Sequence, residues 1–594
     1  MDRNSAIGLT LMAFLLLGYF YFFSPTPEPQ KPNQATNTSP AIRDSTTQIN
    51  EKPLIDSTVT KQYGDLGSFL TGKEEFTSVE NDVLKLTFSS HGTLAEVNLK
   101  KYKTHGQQPL FLAKDGSNKF SLVATHEGKL IDLYQLHYQP ETSKQGDTTR
   151  ISFTAKLSES AFIKHVYSVP DKGYKIGYSI ESKGVSLAGK DLAFTWVDNI
   201  PLVEKDLNDS RNKTTVNYYL ANGSFDGLSD TSPDSKSISD GLKWVAVKQK
   251  FFLSAIFASD KFTSGSFATS FDIKDSSYVK KAELSLSIPS DAIASKKAAF
   301  SYYFGPNDYK VTKEVAEGFS RNMYLGWPPV IWVNKFLLMP VFNLLQTFMT
   351  NYGIIILLLV LFMKLLLMPL TYSSYMGMAK MRLLKPELDA IKEKNGDNMA
   401  QAQQDQMKLY KQVGVNPFAG CIPLLLQMPV IFSMFYLFPN SIDLRQQPFL
   451  WAEDLSTWDS ILTLPFSVPF GYGNHVSLFV LLMTASQIIF QWQNNQIQTV
   501  QGPMKAMGYV MPLIFLFMLN SFSAGLSFYY FVSNLITFAQ QAIIKRFVDE
   551  DKIMALMNEN RKNAAAGKSK KSKFMAKLED AMKASEEARK KTKK

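Results

Sequence analysis

Apolar residues in this chain gather at its two ends. One run, Ile7–Phe23, opens the sequence. Five more, Tyr352–Thr371, Phe418–Phe438, Val476–Trp492, Met504–Phe522 and Leu526–Ile544, fill its C-terminal part. Most approach the ~20 residues a helix needs to cross a ~30 Å hydrocarbon core. Val476–Trp492, with 17 residues, stands at the lower limit, and Pro512 interrupts Met504–Phe522. Short spans of this kind favour local thinning of the bilayer. The pattern predicts a polytopic α-helical membrane protein with six transmembrane helices. A further apolar stretch, Val330–Met349, carries Asn334, Lys335, Asn343, Gln346 and Thr347, mostly on one side of a helical wheel. Only Thr350 and Asn351 separate it from the next run. The reading for 328–350 is therefore an amphipathic helix in the outer membrane interface.

Between these ends the pattern changes twice. Residues 24–75 are rich in Pro, Thr, Asn, Gln and Ser, the composition of a flexible tether. From 76 to 315 apolar and polar positions alternate. Val83, Leu86 and Phe88 precede a turn signal at His91-Gly92, and Leu94, Val97 and Leu99 follow it. Ile151, Phe153 and Ala155 alternate with polar residues, as do Leu284, Leu286 and Ile288. Such half-buried strands predict a large antiparallel β-sandwich domain. Residues 351–545 form a five-helix core, interrupted at 374–413 by a helical hairpin. The first arm of the hairpin carries Met378, Met381, Leu384, Leu388 and Ile391 at helical spacing, with Pro386 expected to kink it. Asn395-Gly396-Asp397 marks its turn. The methionines suit either a stripe that the hairpin buries against itself or an adaptable surface for varied apolar partners.

Charge sharpens the topology. The net charge is +11, and Lys545–Lys594 alone holds 16 basic against 8 acidic residues, a net of +8. This basic tail, 546–594, includes KSKKSK at Lys568–Lys573 and RKKTKK at Arg589–Lys594. Positive flanks favour the cytoplasmic side. With six spans, both termini are then cytoplasmic and the β domain, after the N-terminal anchor at 1–23, lies outside. The segment after Phe23 lacks a small-x-small cleavage pattern, so Ile7–Phe23 reads as an uncleaved anchor. The clusters fit either polyanionic RNA or anionic lipid headgroups.

Candidate chemistry lies at membrane depth. Lys364 interrupts the second run, and a Lys at a helix centre costs ~2.5–3.5 kcal/mol to insert, so such a residue usually faces a protein interior or a watered cavity. It lies about 18 Å down the helix from Tyr352 at 1.5 Å per residue. Gln427, Gln487 and Asn534 occupy the middles of three other runs. A bundle holding a cation and several amides handles something polar. The six histidines show no metal-ligand spacing, no phosphate-binding loop or G-x-S-x-G motif occurs, and Cys421 is the single cysteine. No enzyme activity, metal or cofactor is expected.

Three stretches carry a family resemblance: PLTYSSYMGMAKMRLLKPEL (Pro369–Leu388), GVNPFAGCIPLLLQMPVIF (Gly414–Phe432) and GLSFYYFVSNLITFAQQ (Gly525–Gln541). Together they resemble the YidC membrane-protein insertase family. KWVAVKQKFF (Lys243–Phe252) extends the resemblance to the outer domain. In the Gram-negative form of that family this domain is a periplasmic β-supersandwich similar to sugar mutarotases. The resemblance implies a bacterial inner-membrane insertase and chaperone. Its core would enclose a hydrophilic groove, open to cytoplasm and lipid, through which hydrophobic client segments enter the membrane without ATP. It implies that Lys364 is the groove cation, where most Gram-negative members carry Arg. The charge is kept and the planar five-donor fork is lost. Tyr529 and Tyr530 match a tyrosine pair whose second member lies on the client's path. Implied partners are nascent membrane-protein clients, the secretory translocon, the ribosome through tail and hairpin, and anionic lipids. Two other readings stay open on the residues alone, a small-solute transporter and a membrane-anchored periplasmic carbohydrate-binding protein.

Overall fold

The computed structural model describes residues 62–566 apart from 115, 186, 188–190, 290–298, 397, 417–421, 470–471 and 498–502. The anchor at 1–23, residues 24–61 of the tether, Cys421 and the two basic clusters of the tail lie outside the described residues. The chain divides into a β-rich unit that ends at Tyr324 and a helical unit that begins at Leu325.

The β-rich unit is built from antiparallel sheets. Three of them share one core. The nine-stranded sheet runs from Phe225–Gly227 at one edge, through Phe252–Phe262 and Ala299–Pro306, to Gln139–Gln145 at the other. The six-stranded sheet has Leu192–Asn199 and Lys281–Ile288 at its centre, paired from Leu192↔Ile288 to Asn199↔Lys281. Trp196 of the six-stranded sheet meets Tyr302 and Phe304 of the nine-stranded one edge-on. Such rings bury 150–250 Å² each and dominate a core of this kind. The alternating residues named from sequence behave as a period of two demands. Ile151, Phe153 and Ala155 on Thr148–Ser158, and Leu284, Leu286 and Ile288 on Lys281–Ile288, are all buried in that core. A four-stranded sheet precedes them. In it Leu84–Ser89 pairs with Leu94–Lys103 in the register Leu86↔Val97. The turn between them closes at Gly92, whose φ of +73° suits a residue without Cβ.

In the helical unit, Val330–Phe348 (α3, after the short α1 Leu207–Lys213 and α2 Tyr309–Val315 of the β-rich unit) is continuous through a π turn at Asn334–Leu338. There follow α4 Tyr352–Leu366, α5 Met368–Leu383, α6 Lys385–Asn395, α7 Met399–Val413, α8 Ile422–Leu437, α9 Leu478–Ile497, α10 Pro503–Leu519, α11 Ala524–Phe547 and α12 Glu550–Ala565. By length and composition alone, α3 can cross a membrane, and α4 with α5 would make a second crossing if the bent pair is one span. α9 and α10 carry shorter apolar stretches, Leu478–Gln493 and Gly508–Leu519.

Three local expectations change. The run Tyr352–Thr371 is not one helix: α4 stops at Leu366, and α5 leaves at 60° with Pro369 in its first turn. A proline that cannot donate an amide is tolerated in a first turn and breaks the helix before it. Pro386 does the same. It opens α6 instead of kinking one long arm, so the hairpin consists of three helices. The start of the tail is also more than a basic extension. α12 lays Ile553 and Met557 into a cluster with Ala379, Leu384, Leu388, Leu409 and Val413 of the hairpin. Arg561 grips Glu387 through both carboxylate oxygens at 2.8 and 2.9 Å, and Arg382 pairs with Glu550.

The segment before α9 is tied down by one carboxylate. Buried Asp459 accepts from the amides of Leu478 (2.9 Å) and Phe479 (3.1 Å), from Trp451 Nε1 (2.8 Å) and from the Ser477 hydroxyl. It thus supplies acceptors and negative charge to a helix N-terminus, where amides lack intrahelical partners.

Candidate functional site

Asn351 caps α4, its side chain accepting from the amide of Ile354 at 3.1 Å. The buried face of α4 is Gly353, Ile355, Ile356, Leu359, Val360, Met363 and Lys364, a helical stripe that packs on α11. Lys364 is therefore on the inward side, 9 % exposed. Its ammonium donates to Thr537 Oγ1 at 2.8 Å, and the Thr537 hydroxyl in turn donates to the carbonyl of Ser533 at 2.7 Å. Close to the break at Leu367 the carbonyls of α4 lose helical donors. There Gln540 Nε2 donates to the carbonyl of Lys364 at 3.0 Å. Among the described residues no carboxylate reaches Lys364, and its ammonium has one hydrogen-bond partner, a neutral hydroxyl. A cation held this way keeps donors for a further acceptor.

Asn534 stands on the side of α11 toward α9. Its Nδ2 donates to Ser486 Oγ at 2.8 Å, and the Ser486 hydroxyl donates to the carbonyl of Met483 at 2.7 Å. On the same helix, α9, Gln487 Oε1 and Thr484 Oγ1 are buried without a hydrogen-bond partner among the described residues, and Gln540 Oε1 on α11 is in the same condition. Gln427 is half-buried on α8. Tyr529 is buried, with its ring edge-on to Phe438, just past the end of α8, at 5.9 Å, and Tyr530 meets Phe435 of α8 at the same distance. The structure thus joins Lys364 to α11, Asn534 to α9 and the tyrosine pair to α8. No hydrogen bond links Lys364 directly to Gln427, Gln487 or Asn534.

Sequence reasoning missed Thr537, Gln540, Ser486 and Ser533, the groups that hold the two central side chains. A signal existed: Ser533, Asn534, Thr537 and Gln540 recur at three- and four-residue spacing along Leu526–Ile544 and so share one helical face.

The β-rich unit has polar groups at its centre as well, but they face the core. His165 is fully buried; its Nδ1 lies 2.9 Å from the Tyr178 hydroxyl, which is 2.7 Å from that of Tyr134. Burial pulls the imidazole down to about 3, so it is neutral at ordinary pH. Asp198 is buried, with no hydrogen bond to either carboxylate oxygen among the described residues, and burial pushes it up to about 8 against the pull of neighbouring Asn118. Lys280 donates to the carbonyls of Thr214 (2.7 Å) and Asp230 (2.8 Å), and burial lowers it to about 8. These groups are shut away from any solute and read as core structure.

A β-rich domain followed by a helical unit with apolar helices and a buried cation fits the class of membrane proteins that carry a large folded domain. Comparison with known proteins gives the family. The model for 60Kd inner membrane protein matches residues 344–552, and that for the YidC periplasmic domain matches 77–340. The chain is 43% identical to the membrane protein insertase YidC of Amoebophilus asiaticus, over 98% of this chain and 99% of that one. It is 42% identical to the protein of the same description from Cytophaga hutchinsonii, over 99% and 98%. A solved active YidC insertase, with its first transmembrane domain resolved, aligns with 80% of this chain and 93% of its own at 18% identity and a TM-score of 0.32. The chain belongs to the YidC membrane-protein insertase family. It is a bacterial inner-membrane protein with a periplasmic β-rich domain and a helical core.

Proposed function

We propose that the chain inserts hydrophobic segments of nascent membrane proteins into the inner membrane and that Lys364 receives the polar or acidic part of each segment. The observation that carries this reading is a buried ammonium whose protein partner is a hydroxyl and not a carboxylate. A client carboxylate would replace or join Thr537 as acceptor, and charge-assisted hydrogen bonds are roughly twice as strong as neutral ones. The buried oxygens of Gln487, Thr484 and Gln540, without a partner among the described residues, offer further acceptors to a passing polar backbone. Net free energy comes from burial of the client's apolar surface, ~25 cal/mol per Å², so ATP is not required.

In this reading the protein has six spans, with both termini in the cytoplasm and α3 in the outer interface. Gln427, Gln487, Asn534, Tyr529 and Tyr530 line the client's route with Lys364. The hairpin α5–α7, with α12, and the basic tail face the cytoplasm, where ribosomes and anionic lipids are the partners and clients arrive directly or from the translocon. Support comes from the relatives' description and from the +8 charge after Ile544.

The test is rescue of insertase-depleted cells by Lys364→Ala and Lys364→Arg, with insertion measured for clients that differ only in the charge of their outer segment. Lys364→Ala should slow acidic clients at least about tenfold more than neutral ones, an effect of ~1.4 kcal/mol. Lys364→Arg should behave as the parent. Equal loss for both client classes removes the electrostatic role.

A further inference from the structure

The first described helix of the β-rich unit, the 3-10 turn Gly64–Leu70, brings Asp65 against the hairpin formed by Asn118–His126 and Lys129–Asp132. His126 Nε2 lies 3.0 Å from Asp65 Oδ1, and the imidazole is buried, 4 % exposed. Glu127 follows at the hairpin turn. One ligand atom from each of Asp65, His126 and Glu127 falls within 4.8 Å of the others.

Two backbone features aim Glu127 at this point. Glu127 and Gly128 both have positive φ, +48° and +76°, as a two-residue hairpin turn of the tight mirror-image type requires. Asn, Asp and Gly favour such positions, so a glutamate there departs from turn chemistry. On the other side, Gly64 has φ +58°, and a Cβ at that position would stand 2.9 Å from Glu127 Oε2. The missing side chain leaves the space that the carboxylate occupies. One imidazole nitrogen and two carboxylate oxygens form a donor set suited to zinc. Ligand atoms around a tetrahedral ion at ~2.1 Å sit about 3.4 Å apart, so small rotations of two exposed carboxylates would close the set. Water would fill the fourth position.

We propose that Asp65, His126 and Glu127 bind a divalent transition-metal ion of the zinc class. The ion would staple the incoming chain to the edge hairpin of the six-stranded sheet, where the tether from the membrane anchor enters the folded domain. Leu66 is already fully buried next to Asp65, so the metal would secure a segment that the core has positioned. This role goes beyond insertion and does not depend on it.

The experiment uses the full-length, tag-free protein in detergent, stripped with a chelator and titrated calorimetrically with zinc chloride, with its thermal unfolding followed in parallel. The parent should bind one zinc per chain at this site and unfold at a higher temperature with zinc than without. Glu127→Gln and Asp65→Asn change exposed side chains and leave the core untouched. Each should weaken that binding at least about tenfold, a loss that even changes behind the ligands can bring, and should remove the thermal shift. Gly64→Ala should weaken it through crowding of Glu127. If the parent binds no zinc, or Glu127→Gln and Asp65→Asn bind as the parent does, the proposal is overturned; binding to His91 and His137, whose rings lie 4.3 Å apart, would give the second result.

Discussion

Lys364 and Thr537 form a pair whose two halves have unequal value. Removal of the hydroxyl alone leaves a buried ammonium without its acceptor, and loss of one partner of a charged hydrogen bond exposes the full desolvation cost, ~1.5–3 kcal/mol. Replacement of both partners by apolar groups of similar shape is close to neutral. Thr537→Val should therefore lower the thermal stability of the helical core, and Lys364→Met with Thr537→Val should recover most of it. Unfolding in detergent, arranged as a double-mutant cycle, measures this. The double variant should still fail on acidic clients, which separates stability from function. Lys364 was legible in the sequence because a cation within an apolar run is conspicuous. Thr537 was not, because a threonine in a membrane helix has a weak cost and no fixed partner until the helices are packed.

At the scale of elements, the sequence placed the ends of helices less well than their existence. Apart from Lys364 the run Tyr352–Thr371 is apolar on both sides of the break, and hydropathy does not register a bend; Pro369 was the signal, since it suits a first turn better than a helix interior. Pro386 carried the same message. α12 was hidden for another reason. Its charge balance marks it as tail, and only its two buried residues, Ile553 and Met557, show that it has an inner face. The apolar contacts should dominate its docking. Met557→Ala should cost on the order of 2 kcal/mol or more, as core truncations do. Arg561→Ala breaks a partly exposed ion pair and should cost about 0.2–1 kcal/mol. Hydrogen exchange along Glu550–Ala565 in the full-length protein reports both, and equal effects would mean that the ion pairs hold the helix.

For the whole molecule, alternation in the sequence located the β-rich unit, while the pairing of distant strands was beyond it. Nothing in Leu192–Asn199 says that its neighbours are Lys281–Ile288 and Asn118–His126. Asp198 on that strand and His165 on Ala161–Pro170 of the nine-stranded sheet are two titratable groups that such pairing buries, with opposite consequences. Asp198, held up to about 8, binds its proton more tightly in the folded state than in the unfolded chain, whose carboxyl titrates near ~3.9. Its contribution to stability is complete below that lower value and is lost as pH rises toward 8. His165, held down to about 3, loses stability for the fold as pH falls below its unfolded value of ~6.5. Between about pH 4 and 6.5 the two slopes oppose each other; above 6.5 that of Asp198 leads, and Lys280, lowered to about 8, opposes it only as pH nears 8. The domain should thus lose on the order of 1 kcal/mol between pH 6.5 and 8, and Asp198→Asn, which mimics the protonated carboxyl, should abolish that fall. Thermal unfolding followed by fluorescence of buried Trp196 and Trp244 tests it; the same pH slope in the variant would exclude Asp198 as its source.

Asp459 has one more consequence. A helix that enters lipid ordinarily keeps its first amides level with the headgroups, because water is their partner there. At α9 a protein carboxylate takes that place, so the helix can begin below the headgroup plane without stranding a donor. In the six-span arrangement its apolar stretch, Leu478–Gln493, reaches about 24 Å at 1.5 Å per residue, roughly 6 Å less than an ordinary hydrocarbon core. In that arrangement Asp459 would act as a depth gauge: it would let the lipid beside α9 draw in to the length of the helix, and the barrier to a client in the proposed insertion would be thinnest beside the helix that carries Gln487.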